Sequence, residues 1–245
     1  MTNIFPTPSK LSFNVSQKEY LTQNIIRIRF ESYSIQNFLI RFEVNSILNY
    51  LPGQFVTLVI SNTIRRSYSI GSVPGQNFIE TYVDITPGGP GSKFFETVQI
   101  GDLVEGIFPI GKFVYTESEI PAIFVATGTG ITPFVSMIET ALKLNNSKRE
   151  IKLIWGGKTQ EDLFLQTKFV ELKHNFPNFD FNFCVSREES TTYSKGRVTN
   201  ILETSEFKKE SEFYICGGKE MIADVETLLI TKGFSKDKIK YEQFY

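Results

Sequence analysis

Cysteine and histidine are scarce in this chain of 245 residues, which has two cysteines, Cys184 and Cys216, and one histidine, His174. An iron–sulfur cluster ordinarily needs four thiolate ligands, so this chain does not supply a complete set by itself. A C-x-x-C pair is also absent from the sequence, which argues against a protein-bound zinc site. We therefore expect no metal centre held by these residues.

The sequence also lacks a charge imbalance and a long apolar run. Its 26 Lys and Arg residues nearly balance 27 Asp and Glu residues, so bulk charge gives no reason to expect nucleic acid or an anionic membrane as a partner. Apolar runs stay below the roughly 18 residues of a membrane span, and the first residues do not resemble a secretion signal. A soluble, cytoplasmic protein is the expectation.

The first part of the chain has the pattern of short antiparallel strands. Apolar and polar residues alternate over brief runs, and Pro-Gly or Gly-rich turns separate them. The runs are residues 25–30, 38–44, 54–60, 78–85 and 103–108. Strands of this length and spacing predict a small antiparallel six-stranded β-barrel over residues 1–118.

Residues 119–245 have a different pattern. A continuous apolar run at 122–126 is typical of a strand buried on both faces. Alternation of strands and helices predicts an α/β domain with a doubly wound parallel sheet. The further predicted strands are 151–155, 179–185, 213–216 and 239–242, and the predicted helices are 133–144, 162–174, 197–203 and 219–232.

Three glycine-containing segments have the composition of anion-binding loops. Residues 126–133 stand between a strand and a helix, where backbone N–H groups and a helix start would meet a phosphate. Residues 216–221 have the same position later in the chain, and residues 87–94 lie in the first domain, where we expect Ser92 to cap a helix. Taken alone, the segment at 87–94 is more typical of a simple turn. One nucleotide bound to each domain would account for all three.

Six motifs, in order along the chain, resemble those of the ferredoxin/flavodoxin–NADP⁺ reductase superfamily, closest to its bacterial-type members. They span nearly the whole chain, and each is weakly to moderately specific by itself. The motifs are L-P-G-Q-F at 51–55, R-S-Y-S at 66–69, G-P-G-S at 89–92, the G-D and P-I-G pair at 101–102 and 109–111, T-G-T-G-I-T-P at 127–133 and C-G-G-K-E-M at 216–221. The resemblance implies FAD in the barrel domain and NADP in the sheet domain.

The resemblance places the flavin site in the first domain. Arg66 would neutralise a flavin phosphate, Tyr68 would pack on the isoalloxazine ring, and Ser69, a catalytic residue, would hydrogen-bond near flavin N5. Without the motif, Arg65 and Arg66 would be interpreted as a solvated pair on an edge strand. Phe244 would cover the ring and Tyr245 would lie near the adenine, although such a tail is often only a strand end. The other predicted FAD-binding residues are Ser67, Val83, Gly89, Gly91 and Ser92.

The resemblance places the nicotinamide in the second domain, with Cys216 and Glu242 as catalytic residues. Cys216 would position the ring against the flavin rather than act as a nucleophile, and Glu242 would handle a proton or place the ring. A buried cysteine at a strand end is otherwise a small core residue. The other predicted coenzyme-binding residues are Thr127, Gly128, Thr129, Gly130, Pro133, Gly217, Gly218 and Met221.

The segment after the third strand of the sheet bears on the choice of coenzyme. Ser186 and Arg187, with Arg197, match family residues that hold a 2′-phosphate, and an Arg fork suits phosphate oxygens. These residues favour NADPH. Glu188 and Glu189 leave NADH open, because an NADH enzyme often places an acidic residue at the ribose.

The function implied by the resemblance is hydride transfer from NADPH to FAD, followed by single-electron transfer to ferredoxin or flavodoxin. The carrier would be a separate protein, because the chain has too few cysteines for a cluster, and we expect a monomer. Arg65, Lys93 and Lys112 are a candidate surface for an acidic carrier, with scattered surface charge as the competing interpretation. A reductase of free flavin or a small molecule, and an electron-transfer subunit of a larger complex, remain alternatives.

Overall fold

The computed structural model describes residues 5–33, 47–189 and 192–243. Its contacts divide the chain into two compact units. The first unit comprises the chain up to Tyr115 together with Thr132–Thr140, and the second comprises Thr116–Ile131 and the chain from Ala141 onward. The predicted domain limits, with a boundary between residues 118 and 119, stay a prediction.

Six antiparallel strands form most of the first unit. They are β1 (Ser9–Tyr20), β2 (Ile25–Tyr33), β3 (Phe55–Val59), β4 (Arg65–Ser69), β5 (Phe78–Asp84) and β6 (Leu103–Ile110). They pair in the order β4-β3-β6-β1-β2-β5. The Gly71 N–H donates to the Glu80 carbonyl oxygen at 2.7 Å, which links the end of β4 to β5. The sheet is therefore a nearly closed barrel, as predicted.

Two barrel strands were not predicted from the sequence, although β1 alternates apolar Leu11, Phe13 and Val15 with polar residues. β4 reads Arg-Arg-Ser-Tyr-Ser and pairs with β3, with Phe55 opposite Ser69 and Val59 opposite Arg65. β1 has 12 residues, many of them polar, and pairs with β2 on one side and β6 on the other. β4 forms because β3 supplies its hydrogen-bonding edge, a context that outweighs local preference. The predicted strand at 38–44 lies outside the described residues.

Aromatic rings fill the barrel and attach the helix α1 (Pro90–Thr97) to it. The ring of Phe30 lies 6.3 Å from that of Phe13 and 6.5 Å from that of Phe95, which is fully buried on α1. Burying a phenylalanine contributes roughly 1.5–3 kcal/mol, and an edge-to-face pair adds about 0.5–1.5 kcal/mol. This packing fixes where the start of α1 lies on the barrel.

The prediction that Ser92 caps a helix is wrong. The helix begins at Pro90, because the fixed φ of proline suits a first helical position and its missing N–H is not needed there. Gly89 is therefore the N-cap residue, and Ser92 is a buried residue within the first turn.

The helix α2 (Thr132–Glu139) packs within the first unit against the P-G-Q-F turn. Gly53 has φ +102°, and a Cβ atom there would overlap Met137 Cε on α2. The buried Gln54 side chain accepts a backbone N–H bond within the turn and donates to the Gly111 carbonyl oxygen at 3.1 Å. The P-G-Q-F motif thus forms a turn and allows α2 to pack closely against it. The predicted helix at 133–144 changes to π-helical geometry after α2.

The second unit is a parallel sheet whose five longer strands were all predicted. The strands are β7 (Ala122–Thr127), β8 (Ile151–Gly157), β9 (Phe179–Val185), β10 (Ser194–Lys195), β11 (Glu212–Gly217) and β12 (Ile239–Gln243), and the helices are α3 (Gln166–Asn175), α4 (Val198–Thr204) and α5 (Lys219–Thr231). The strands are ordered β10-β9-β8-β7-β11-β12, and neighbouring strands are parallel. After β7 the chain adds β8, β9 and β10 on one side, and it then returns to add β11 and β12 on the other side of β7. The switch point of the sheet therefore lies between β7 and β11. In such sheets ligands bind beyond the carboxyl ends of the strands at this switch point.

Among the helices in the described ranges, none has the length and apolar content needed to cross a membrane.

Candidate functional site

The R-x-Y-S and G-x-x-S motifs meet in the first unit. A Cβ atom at Gly91, in the first turn of α1, would lie 2.5 Å from the Tyr68 hydroxyl oxygen and 3.7 Å from Arg66 Cγ. Only glycine allows the start of the helix to lie this close to β4. Two motifs that are separate in the sequence therefore form one local surface.

Tyr68 is held by the barrel core. Its ring makes an edge contact with Phe95, with ring centroids 4.7 Å apart. Burial raises the pKa of the Tyr68 hydroxyl to about 12, and the nearby Arg66 charge opposes that rise. Tyr68 is therefore a neutral phenol near neutral pH, able to pack through its ring and to donate through its hydroxyl.

The charge at this surface is positive. The exposed Arg66 guanidinium donates to the Arg65 carbonyl oxygen at 2.8 Å, and within the described ranges it forms no ion pair. The first turn of α1 carries no acidic residue, and its N-terminus adds partial positive charge. Space is open beside Gly89, since no described atom lies within 4 Å of a Cβ built there. An arginine beside an open, glycine-bearing helix start fits the pyrophosphate of FAD.

The other predicted flavin-binding residues differ in their solvent exposure. The exposed Ser67 shares a 2.9 Å hydrogen bond with Thr57, whereas Ser69 and Ser92 are buried. The Val83 side chain is part of the hydrophobic core of the barrel. The structure therefore brings together Arg66, Tyr68 and the start of α1, and it places the Val83 side chain in the core.

The two glycine motifs of the second unit meet at the switch point of the sheet. A Cβ atom at Gly130 would overlap the Cys216 carbonyl oxygen. A Cβ atom at Gly217 would lie 2.5 Å from Thr127 Oγ1 and would overlap Met221 Cε. The loops after β7 and β11 touch because both positions lack side chains. Their backbone groups lie where a dinucleotide binds in sheets of this topology.

Trp155 supports the loop after β7, a role that composition did not reveal. Its indole N–H donates to the Gly128 carbonyl oxygen at 3.0 Å, and its ring packs edge-on against Phe169 and Phe183. The single tryptophan of the chain therefore connects the core to the glycine loop. In the sequence, the only indication of this role was that Trp155 stands at the end of a predicted strand, where the loops of the sheet begin.

Cys216 and Glu242 are cross-strand neighbours on β11 and β12. The cysteine is fully buried. Burial raises the pKa of the Cys216 thiol well above its usual value, and the nearby Glu242 charge adds to this rise. A neutral thiol is a poor nucleophile, which agrees with a positioning role. Phe244 and Tyr245 lie outside the described residues.

The remaining residues of these two motifs differ in burial and lie in different elements. Thr129 is partly buried in a short 3-10 turn after β7, and Pro133 is buried in α2, which packs with the first unit. Gly218 is the exposed N-cap of α5.

The backbone brings the predicted 2′-phosphate residues close together. The Gly196 N–H donates to the Val185 carbonyl oxygen at 2.9 Å. Ser186 and Arg187 directly follow Val185, and Arg197 directly follows Gly196. All three side chains are exposed, so they are available to a ligand at the carboxyl end of β9.

Lys158 joins this group and was missed from sequence. It is the first residue after β8, and its carbonyl oxygen accepts the Arg187 N–H at 2.8 Å. In NAD-binding folds an acidic residue often stands at the end of the second strand. A lysine there was a signal for a phosphate ligand. The exposed cations Lys158, Arg187 and Arg197 therefore lie on connected segments.

The two acidic residues that left NADH open are each engaged within the second unit. The Glu188 carboxylate accepts the Gln160 N–H at 2.6 Å. Glu189 forms an ion pair with Lys195.

Comparison with known families identifies one flavin-binding and one nicotinamide-coenzyme-binding domain in this chain. The family described as "Oxidoreductase FAD-binding domain" matches residues 12–115, and "Oxidoreductase NAD-binding domain" matches residues 124–227. The CDP-6-deoxy-L-threo-D-glycero-4-hexulose-3-dehydrase reductase of Yersinia pseudotuberculosis is 30% identical over 233 residues, which cover 93% of this chain and 70% of that protein. This chain belongs to the ferredoxin/flavodoxin–NADP⁺ reductase superfamily.

Other relatives in the superfamily are longer than this chain. The toluate 1,2-dioxygenase electron transfer component of Pseudomonas putida is 28% identical over 233 residues, which cover 94% of this chain and 66% of that protein. The anthranilate 1,2-dioxygenase electron transfer component of Acinetobacter baylyi is 29% identical over 202 residues, which cover 80% of this chain and 59% of that protein. The chain thus spans about two thirds of the length of such relatives.

Solved structures share the fold. The Amycolatopsis cytochrome P450 reductase matches with a TM-score of 0.85 at 24% identity, covering 98% of this chain and 71% of that one. The Neisseria gonorrhoeae ferredoxin NADP⁺ reductase with bound FAD and NADP matches with a TM-score of 0.76 at 20% identity, covering 96% of this chain and 99% of that one. The predicted pairing of a barrel with a parallel α/β sheet is confirmed.

Proposed function

We propose that this chain is a flavoprotein reductase that carries electrons from NADPH through FAD to a separate one-electron carrier, ferredoxin or flavodoxin. The observation that carries the proposal is a pair of glycine-dependent contacts, one in each unit. Gly91 lies against Tyr68 in the first unit, and Gly130 lies against Cys216 in the second. Next to these contacts, no described atom lies within 4 Å of a Cβ built at Gly89 or at Gly218, which leaves room for a phosphate-bearing ligand. One flavin and one nicotinamide coenzyme account for both.

In the first unit, the chain's own residues would bind and orient the flavin. Arg66 and the start of α1 hold the pyrophosphate by charge and by backbone N–H groups. Tyr68 would pack against the ring as a neutral phenol, and Ser69 would hydrogen-bond near flavin N5. Bound FAD supplies the chemistry, because it accepts a hydride and releases electrons singly.

In the second unit, the loops after β7 and β11 hold the coenzyme. Gly130 and Gly217 keep the two loops in contact, and Cys216 would place a neutral thiol beside the nicotinamide. Glu242, its cross-strand neighbour, places the ring or handles a proton. Orientation is the protein's main contribution, because correctly placed reactants avoid a large entropic cost.

The cations after β8 and β9 support NADPH as the preferred coenzyme. Lys158, Arg187 and Arg197 are exposed, and Ser186 adds a hydroxyl donor. The two acidic residues nearby are engaged by Gln160 N–H and by Lys195. This leaves cationic and hydroxyl groups, rather than an acid, to meet the ribose.

We propose a separate carrier because this segment has two cysteines, both buried free thiols, which are too few to ligate an iron–sulfur cluster. The relatives named electron transfer components support an electron acceptor outside this segment. Arg65, Lys93 and Lys112 are exposed in the first unit and would meet an acidic carrier. We further propose that the chain works as a cytoplasmic monomer without nucleic acid or membrane, which size-exclusion chromatography and fractionation would test.

The proposal is tested by steady-state assays with purified protein loaded with FAD. NADPH should be oxidised faster than NADH at equal concentration when ferredoxin or flavodoxin is the acceptor. Equal rates with NADH would contradict the coenzyme assignment. Loss of flavin on gel filtration together with reduction of free flavin would favour a flavin reductase. Failure to oxidise NADPH without further subunits would favour an electron-transfer subunit.

A further inference from the structure

Glu188 ties together two loops of the second unit. Its carboxylate, in the segment after β9, accepts the Gln160 N–H, in the segment after β8, at 2.6 Å. The same segments are joined by the main-chain bond from Arg187 N–H to the Lys158 carbonyl oxygen at 2.8 Å. A side-chain bond thus extends the pairing of the two strands beyond their ends.

Two carboxylates satisfy three successive N–H groups of the segment after β8. Asp162 accepts the Lys158 N–H at 2.6 Å and the Thr159 N–H at 3.0 Å, and Glu188 accepts the next one, from Gln160. Asp162 belongs to the same segment, so its bonds set the shape of that segment. Glu188 comes from the neighbouring segment, so its bond sets where the shaped loop lies.

Glu189 offers a contrast one residue away. Its carboxylate pairs with Lys195, which lies on β10 and therefore in the same connection between β9 and α4. That ion pair is highly exposed, with 80% of the Glu189 side chain accessible. Glu189 does not join the two loops, although it carries the same charge.

We infer that Glu188 is a positioning residue for coenzyme specificity: it holds the loop that carries Lys158 against the loop that carries Ser186 and Arg187, so that they bind the 2′-phosphate together. This inference rests on the proposed function. In this inference the Glu188 carboxylate accepts a hydrogen bond from the backbone N–H of Gln160 and does not contact the coenzyme. The alternative assigns it to the ribose hydroxyls of NADH.

Two substitutions separate the hydrogen bond from the charge. Glu188→Gln and Glu188→Ala both remove one negative charge next to Arg187, but only Gln keeps an oxygen that can accept the Gln160 N–H. Glu189→Gln is the matched control for a charge change in the same segment. Binding of adenosine 2′,5′-bisphosphate and of adenosine 5′-monophosphate is measured by calorimetry on the FAD-loaded protein, because the two ligands differ only in the 2′-phosphate.

Glu188→Ala should bind adenosine 2′,5′-bisphosphate about five- to tenfold more weakly than Glu188→Gln, as expected for the loss of one neutral hydrogen bond. Adenosine 5′-monophosphate should bind both variants equally. Equal affinity of both variants for the 2′-phosphate ligand would overturn the inference. Loss of NADH binding to the same extent in both would overturn it in favour of a ribose-binding acid.

Hydrogen exchange tests the loop contact without any coenzyme. The amide of Gln160 should exchange faster in Glu188→Ala than in Glu188→Gln, and Glu189→Gln should match the wild type. Equal exchange in the two Glu188 variants would show that the contact does not hold the loop. A wild-type protein that binds the two ligands equally would instead contradict the proposed NADPH preference, so the two failures are distinguishable.

Discussion

The hydroxyl oxygen of Tyr68 lies 2.5 Å from the position that a Cβ atom would take at Gly91. A Cβ atom in a protein essentially never approaches another heavy atom to less than 3.0 Å, so any side chain at Gly91 must displace Tyr68 or the start of α1. The shape of the proposed flavin site therefore depends on an absent side chain.

Replacing Gly91 by alanine tests that dependence. Overpacking typically costs about 1–3 kcal/mol, so Gly91→Ala should weaken FAD binding roughly five- to 150-fold. The flavin-to-protein ratio after gel filtration reports the loss. In flavin-free protein, the double variant Gly91→Ala, Tyr68→Phe should recover part of the melting temperature lost by Gly91→Ala, because it removes the clashing oxygen. An unchanged flavin content would contradict the assignment.

Arg66 is expected to bind flavin, and its neighbour Arg65 is not. Arg66→Ala should lower FAD affinity tenfold or more, since a hydrogen bond to a charged group contributes about 1.5–3 kcal/mol. Arg65→Ala is the matched control, because it removes an exposed guanidinium from the same strand. Both variants should keep the wild-type melting temperature when flavin-free. Full flavin content in Arg66→Ala would count against the site.

The sequence was most informative where backbone chemistry requires particular residues. The glycine loops at 127–130 and 216–218 and the R-x-Y-S motif lie at the contacts that define both sites. Buried apolar strands such as β7 and β9 were also predicted correctly, because a short continuous or alternating apolar run is typical of a strand. Ser92 was misjudged, since Pro90 starts the helix two residues earlier.

Features made by tertiary pairing were not predictable in the same way. β4 has almost no apolar residues and exists because β3 supplies its hydrogen-bonding edge. The bond from Trp155 to Gly128 and the bond from Glu188 to Gln160 join residues far apart in sequence. Lys158 became a candidate only when β8 was seen to end beside it.

Coenzyme preference should respond to the cations after β8 and β9. Lys158→Ala and Arg187→Ala should each raise KM for NADPH about tenfold and leave KM for NADH within about twofold, because NADH lacks the 2′-phosphate. The effect should shrink at high salt, as screening weakens exposed charge interactions. Lys208→Ala, which removes an exposed lysine paired with Glu150 at 2.7 Å, is the control. Equal loss with both coenzymes would contradict the 2′-phosphate assignment.

A buried arginine stabilises the second unit. The Arg149 side chain is fully buried and donates to Glu212 at 2.6 Å, to the Thr116 carbonyl oxygen at 2.8 Å and to the Ile120 carbonyl oxygen. Arg149→Met leaves the Thr116 and Ile120 carbonyl oxygens without this donor, whereas Glu212 keeps the Tyr214 hydroxyl at 3.3 Å and Lys240 at 3.6 Å. Two unsatisfied buried acceptors should lower the free energy of unfolding by about 2–6 kcal/mol. Urea unfolding of flavin-free protein measures this loss. A change below about 1 kcal/mol would show that water or other donors replace Arg149.

The ion pair between Arg149 and Glu212 makes the free energy of unfolding depend on pH. Burial pushes the pKa of Glu212 upward, but the Arg149 hydrogen bond and the charges of Lys240, Arg149 and Lys238 more than offset it, so the pKa is lowered. A lowered pKa stabilises the fold above the ordinary value of 4.5, and this contribution is lost as pH falls through the folded-state value. Glu212→Gln should therefore lose less stability than wild type between about pH 5 and 3. Glu210→Gln, at an exposed site, should follow the wild-type curve.

The most direct measurement is a single-turnover reaction in a stopped-flow instrument without oxygen. FAD-loaded protein is mixed with one equivalent of NADPH or of NADH, and the flavin absorbance is followed before any carrier is added. We predict rapid bleaching of the flavin with NADPH and much slower bleaching with NADH. A flavin that stays oxidised with both coenzymes would contradict the central claim that this chain passes electrons from a nicotinamide to FAD.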